Sequence, residues 1–195
     1  MAYKNQEKTL LILDVDETLI HATQQKLEQK EDFKLFHYYV YKRPYLLEFL
    51  KSVKEDFLLA IWSSASDDYV AAIIQKIIPN DIPLEFVWGG SRCTYRRNYR
   101  LDEDRFYTHD GNLHYRSFKI LKKVKRQGYD INRILIVDDS PHKVQANYGN
   151  AIYPEPFTGD PKDTELMLLA KYLKMLKDET KVRQLEKRYW RTQVD

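Results

Sequence analysis

The 195-residue chain carries one cysteine, Cys93, only six glycines, and no long apolar run. A lone cysteine excludes an intrachain disulfide and fits a reducing compartment. No stretch approaches the roughly 20 apolar residues that a membrane-spanning helix needs. The start, Met1 to Lys8, is polar and lacks the pattern of a secretory signal. These absences lead to the expectation of a cytosolic protein with no membrane partner. A net charge of +3 is too small to demand a polyanion. No base-stacking motif accompanies the arginines, so nucleic acid is not an expected partner. Repeats and low-complexity stretches are also missing. With 43% hydrophobic residues, the length predicts one domain over 1–195 with a full core. The fifteen tyrosines fit either a binding surface or the rim of that core, and the rim is the favoured reading.

Strand and helix patterns alternate along the chain. Thr9 to Leu13 is a buried strand, its continuous apolar run suiting a strand covered on both faces. Gln24 to Asp32 is a polar turn and Phe33 to Tyr41 an aromatic strand. Arg43-Pro44 opens a helix with Leu46, Leu47, Leu50 and Val53 on one face. Phe57 to Trp62 is a second buried strand, and Asp67 or Asp68 caps the helix after it. Leu84 to Trp88 is a third, closed by Gly89-Gly90. Residues 91–116 break the rhythm: rich in arginine and tyrosine, with Asp110-Gly111 between aromatic flanks, they predict a small β insert. Ser117 is expected to cap a helix from about Phe118 to Gln127, with Gly128 ending it. Arg133 to Val137 is a fourth buried strand, Asp160-Pro161 precedes a long amphipathic helix, and 181–195 is read as a charged, peripheral C-terminal helix. Repeated β-α units imply an α/β, three-layer Rossmann-like parallel sheet with helices on both faces and no large cap domain.

Three strands end in polar chemistry. The first runs into Asp14 and Asp16, with the hydroxyl of Thr18 two positions on. The second ends at Ser63 and Ser64, the fourth at Asp138 and Asp139. In open parallel sheets the ligand crevice lies just beyond such strand ends. Carboxylates crowded there repel one another, and a hard divalent cation relieves the repulsion. Each piece also has a plainer reading. Aspartate favours turns after strands, and Asp138-Asp139-Ser140-Pro141 makes a good acidic start for a helix.

Together, Asp14-Val15-Asp16-Glu17-Thr18-Leu19, the strand-ending Ser63, a lysine near 120 and Asp138-Asp139-Ser140-Pro141 resemble the four motifs of the haloacid dehalogenase superfamily. Glu17 and Lys42-Arg43-Pro44 resemble the branch of RNA-polymerase C-terminal-domain phosphatases and NLI-interacting-factor-like phosphatases. The resemblance covers about residues 8–155. It implies a nucleophile at Asp14 and an acid/base at Asp16. It implies phosphate-binding groups at Thr18, Ser63, Ser64 and Arg92, and Mg²⁺ held by Asp14, Asp16, Asp138 and Asp139. The clamping lysine is Lys119 or Lys122, three apart on the expected helix, with Lys119 closer to the family spacing. Ile120 departs from the polar or proline residue common there. Arg96, Arg97 and Arg100 add local charge, His109 and His114 belong to a surface turn, and Cys93 is a packed thiol.

The resulting expectation is a magnesium-dependent phosphomonoester hydrolase working through an aspartyl-phosphate. No segment between Thr18 and Ser63 is large enough for a lid, so the substrate expected is a phosphoserine or phosphothreonine protein segment. The rivals are a phosphatase of small phosphometabolites or nucleic-acid ends, and a catalytically weak binding or scaffold module. Retention of Asp16 speaks against the last, since a binder has no use for an acid/base.

Overall fold

The computed structural model describes residues 7–97 and 115–194. In chain order its strands and helices are β1 (Thr9–Leu13), β2 (Ile20–Thr23), β3 (Phe33–Leu35), β4 (Tyr38–Lys42), α1 (Leu46–Asp56), β5 (Phe57–Trp62), α2 (Asp67–Ile77), β6 (Leu84–Trp88), β7 (Thr94–Arg97), β8 (Tyr115–Phe118), α3 (Lys122–Lys125), β9 (Ile134–Val137), α4 (Pro141–Val144), β10 (Ala151–Ile152) and α5 (Glu165–Leu176). Five strands form a parallel sheet in the order β10-β9-β1-β5-β6. The expected α/β architecture is therefore the observed one.

Both faces of this sheet are covered, and the strand sequences show why. In β1, Leu11 and Leu13 join one core with Leu59, Ile61, Leu135 and Val137, against helices α1, α2 and α5. Leu10 and Ile12 point the other way, into a second core with Ala60, Trp62, Ile134 and Ile136. Side chains alternate faces along a strand, so a strand buried on both sides reads as an unbroken apolar run. Truncating a fully buried leucine such as Leu11 to alanine would cost about 2–5 kcal/mol.

The sheet register positions the site. Leu13 of β1 lies opposite Ile61 of β5 on one side and Val137 of β9 on the other. The residues that follow these three, Asp14, Trp62 and Asp138, share one level at the carboxyl edge. Asp14 N–H donates to the Val137 carbonyl at 2.9 Å, and Ser63 N–H to the Trp88 carbonyl at 2.9 Å.

Three regions differ from expectation. First, β2, β4 and β3 form an antiparallel sheet of their own between β1 and α1. The single strand expected over Phe33 to Tyr41 is two, β3 and β4, split by a turn at Phe36 with φ 52°, and the four-residue β2 was not expected. Second, Tyr115–Phe118 is a strand paired with Thr94–Arg97, and the helix behind it is only Lys122–Lys125. Ser117 therefore caps nothing, and its aromatic neighbours favour the ladder instead. The Asp110-Gly111 turn, with His109, His114 and Arg100, lies outside the described residues. Third, 181–194 is not a charged helix. It makes two short 3₁₀ turns, Val182–Gln184 and Trp190–Gln193. Trp190 is buried against Tyr172, and its indole N–H donates to the Tyr153 carbonyl at 3.1 Å. Ser66, not Asp67 or Asp68, stands just ahead of α2. No helix among the described residues is long and apolar enough to cross a membrane.

Candidate active site

Beyond β1 the chain turns sharply. The Val15 carbonyl accepts from the N–H groups of Thr18, Leu19 and Ile20, and Glu17 takes a left-handed backbone at φ 56°. The turn is held from outside by Arg43, which follows β4. Its buried guanidinium donates to the Thr18 carbonyl at 3.1 Å, to the Glu155 carbonyl at 2.8 Å, and to both oxygens of Asp163. A fully buried arginine is tolerated only when its donors are met in this way.

Lys119 is the centre of the charge arrangement. Its Nζ lies 2.8 Å from Asp14 Oδ1 and 2.6 Å from Asp138 Oδ2, and all three side chains are buried. Lys119 sits not on a helix but in the connection between β8 and α3, where its backbone N–H donates to the Lys143 carbonyl at 2.8 Å. The expectation of two lysines one helical turn apart is thus corrected. Lys122 begins α3 and is exposed, so the two do not share a face. Burial alone would pull the Lys119 pKa down, but Asp14 and Asp138 outweigh it and the net shift is upward. The ammonium form is the one the site holds.

A second lysine, Lys143, reaches to 3.7 Å from Asp14 Oδ2. Sequence reasoning passed over it. The available signal was its place in the first turn of the helix that follows Asp138-Asp139-Ser140-Pro141. Its pKa is also net raised, since burial's downward pull is exceeded by Asp14 and Asp138.

The two lysines do not balance the carboxylates. Asp14, Asp138 and Asp139 each offer an oxygen within 4.8 Å of the others. Burial first, then the charge of Asp14, raises the carboxyls of both Asp138 and Asp139, the former to about 7 with Lys119 pulling back. Glu17 is likewise pushed up to about 7, by burial and then by Asp16 and Asp139. Neither Asp14 oxygen receives a well-directed hydrogen bond, although both are buried beside lysines. An all-oxygen cluster short of positive charge, with an under-satisfied buried carboxylate at its centre, fits a hard divalent cation such as Mg²⁺.

Asp16 stands apart from that cluster. Its Oδ1 accepts from the Tyr69 hydroxyl at 2.7 Å and its Oδ2 from the Ser63 hydroxyl at 3.4 Å. Burial is the main cause of a raised Asp16 pKa, with the Tyr69 hydrogen bond pulling it back. Tyr69 was another residue missed in the sequence, where it reads as one more apolar position of α2. Ser63 Oγ also accepts from the Ala65 N–H at 3.0 Å.

The remaining expected residues are placed less directly. Thr18 is buried, and its hydroxyl exchanges hydrogen bonds with Asp139 at 3.3 Å, which joins the first motif to the last. Ser64 is half-buried, with its carbonyl packed against Gly90, where a Cβ would come within 2.9 Å of it. Arg92 is exposed, its guanidinium 5.3 Å from the centroid of the Trp88 ring. Cys93 is buried, with Sγ 3.9 Å from the Ser63 carbonyl, and burial raises its thiol pKa. Beside Asp16 opens a cleft of about 670 Å³ walled by Glu17, Phe36, Tyr38, Ala65 and Tyr69.

A parallel sheet that gathers Asp14, Asp16, Ser63, Lys119 and Asp138 at one edge defines a haloacid-dehalogenase-like protein of the C-terminal-domain phosphatase branch. The chain belongs to the NLI interacting factor-like phosphatase family, whose model matches residues 9–183. CTD small phosphatase-like protein 2 of Dictyostelium discoideum is 31% identical over 183 residues, covering 90% of this chain and 29% of that protein. Nuclear envelope morphology protein 1 of Saccharomyces cerevisiae is 27% identical over 197 residues, covering 92% of this chain and 42% of that protein. The chain thus spans less than half the length of either relative. The solved structure of Fcp1, an essential RNA polymerase II CTD phosphatase, shares the fold with a TM-score of 0.56 at 20% identity, over 91% of this chain and 52% of that one.

The relative from Saccharomyces cerevisiae overturns the expectation of a cytosolic protein, because it is named for the nuclear envelope. A lone cysteine and a polar start are equally at home on the cytosolic and nuclear sides of that membrane, so they carried no information on this point.

Proposed function

We propose that this chain is a phosphomonoester hydrolase that acts with Mg²⁺ on phosphorylated protein segments, through an aspartyl-phosphate on Asp14. The observation that carries the reading is Lys119, buried and bridging Asp14 to Asp138. Burying one ammonium against two carboxylates is a costly arrangement for a fold to keep, and electrostatic clamping is most of what phosphoryl transfer asks of a protein.

Asp14 attacks phosphorus and forms an acyl-phosphate bond as the bond to the leaving oxygen breaks. Asp16, whose pKa is raised by burial, gives a proton to that oxygen. The Asp16 carboxylate then takes a proton from water, whose oxygen attacks phosphorus, releasing phosphate and freeing Asp14. Tyr69 and Ser63 hold Asp16 in place between the two steps. Lys119 and Lys143 stand against the negative charge of the transferring group. Asp14, Asp138, Asp139 and the main-chain carbonyl of Asp16 would hold Mg²⁺, which supplies charge to offset the phosphoryl oxygens.

The cleft of about 670 Å³ beside Asp16 offers room for a substrate beyond the phosphate itself, and the relatives are named as a CTD small phosphatase-like protein and for the nuclear envelope. We carry both over as the proposed substrate class and place of action. The test is hydrolysis of p-nitrophenyl phosphate and of phosphoserine peptides by purified protein. Turnover of both with Mg²⁺ and none in EDTA is expected. Absence of turnover with Mg²⁺ in well-folded protein would overturn the proposal.

A further inference from the structure

Strands β7 and β8 place two arginines directly opposite each other. Arg96 pairs with Arg116 in an antiparallel register, so both side chains leave the ribbon on the same face. Like charges at directly opposed positions destabilise a two-stranded ribbon. Both residues are exposed, and among the described residues neither meets a carboxylate. Arg96 instead lies 5.5 Å from the centroid of the Phe118 ring on the same face, which fixes the direction of its guanidinium. The ribbon thus holds two cations side by side, with no counter-charge on them among the described residues.

The pair is also close to the candidate site. Strand β8 packs on α4, the helix that opens with Pro141 and carries Lys143. The charge of Arg116 reaches His142 there and adds to burial and Lys143 in lowering that imidazole's pKa. One residue past β8 stands Lys119 itself. A ligand anchored on the arginine pair would sit beside whatever occupies Asp14.

We propose that Arg96 and Arg116 form a second anion site, which takes a phosphate or carboxylate of the same polypeptide whose phosphoester lies at Asp14. Two planar forks on the same face of neighbouring strands suit one multi-oxygen anion. This deepens the proposed function: the preferred substrate is a protein segment with a second phosphorylated or acidic residue near the scissile phosphate. An anionic membrane is the competing ligand for a basic surface. It is disfavoured here because the pair stands beside the catalytic crevice, where β8 leads directly into Lys119 and packs on the helix that carries Lys143.

Three phosphoserine peptides of one sequence test this, with a neighbouring position as phosphoserine, glutamate or alanine, each with p-nitrophenyl phosphate as reference. The wild-type protein should favour the phosphoserine and glutamate neighbours over alanine, and more strongly at low salt. Arg96→Gln/Arg116→Gln should lose that preference, with kcat/KM on the doubly phosphorylated peptide falling at least about tenfold. Its activity on p-nitrophenyl phosphate should stay within about twofold of wild type. Arg116→Glu should lose the preference as well, while melting no lower than wild type, because it replaces repulsion across the ribbon with attraction. Binding of the labelled peptides, read by fluorescence anisotropy, gives the same comparison without turnover. Loss of all hydrolysis with the binding preference intact would therefore indict the phosphatase reading and leave the anion site standing. An unchanged preference in the variants overturns the second site. So does a loss of binding to phosphatidylserine vesicles with no change in peptide selectivity.

Discussion

The hydroxyl of Tyr69, on helix α2, donates to Asp16 Oδ1 in the loop beyond β1 at 2.7 Å. Burial and then the charge of Asp16 push the Tyr69 pKa up, so the hydroxyl stays a donor at neutral pH. The bond favours the ionised form of Asp16 and opposes the burial that raises its pKa. Removing it should move Asp16 further up. We predict that Tyr69→Phe lowers kcat by roughly tenfold with a smaller change in KM, as expected when an acid/base loses its orientation. The limb of the pH-rate profile belonging to Asp16 should shift to higher pH. An unmoved limb with normal kcat would make Tyr69 a packing residue only.

Asp16→Asn removes proton transfer while keeping size and most hydrogen bonding. Turnover should drop by about 10²–10⁴. The loss should be larger for phosphoserine, whose alkoxide leaves poorly, than for an aryl phosphate. Equal losses on both substrates would reduce Asp16 to an orienting group.

How much of this was legible in the sequence differs from element to element. The strands β1, β5 and β9 stood out because burial on both faces leaves them apolar throughout, save for Thr9 at the start of β1. Parallel pairing then made it possible to expect Asp14, Ser63 and Asp138 at one edge. The surroundings of Lys119 were not legible. Residues 115–125 alternate lysine with apolar residues in a way that fits a helix, yet pairing with β7 pulls Tyr115–Phe118 into a strand. That pairing partner lies 18 to 24 residues away, and local propensity cannot see it. Lys143 and Tyr69 were missed for a related reason. Each meets the site only through tertiary packing, and nothing in its own helix marks it. The C-terminal stretch misled by composition, since its many charges hid Val182 and Trp190, which bury against the core.

Two lysines separate the account from its nearest alternative. Lys119 is buried against two carboxylates, and Lys122 is exposed at the start of α3. Lys119→Ala should cut turnover by at least about tenfold, since a lost phosphoryl clamp raises the barrier by more than ~1.4 kcal/mol. It should also lower the melting temperature, because Asp14 and Asp138 are left without their shared cation. Lys122→Ala should change neither. The reverse outcome would mean that the clamp sits on α3.

The carboxylate cluster predicts a pH dependence of stability. Asp16, Glu17, Asp138 and Asp139 all have pKa values raised by the fold, Glu17 and Asp138 to about 7. A carboxyl with a raised folded pKa holds its proton more tightly in the folded state. Its contribution is complete below the unfolded pKa and is lost as pH rises through the folded one. In EDTA the melting temperature of the wild type should therefore decline relative to Asp138→Asn as pH rises from the ordinary carboxylate range to above 7. Mg²⁺ should recover the loss by binding only the folded state. Parallel curves for the two proteins would show that the crowding has no energetic consequence.

The most direct measurement is chemical trapping of the intermediate. Protein turning over p-nitrophenyl phosphate with Mg²⁺ is quenched into borohydride, which reduces an acyl-phosphate to an alcohol and converts the aspartate that carried it to homoserine. The account predicts homoserine at Asp14 alone, absent without substrate and absent in Asp14→Asn. Homoserine at another aspartate, or steady turnover with none at Asp14, would contradict it.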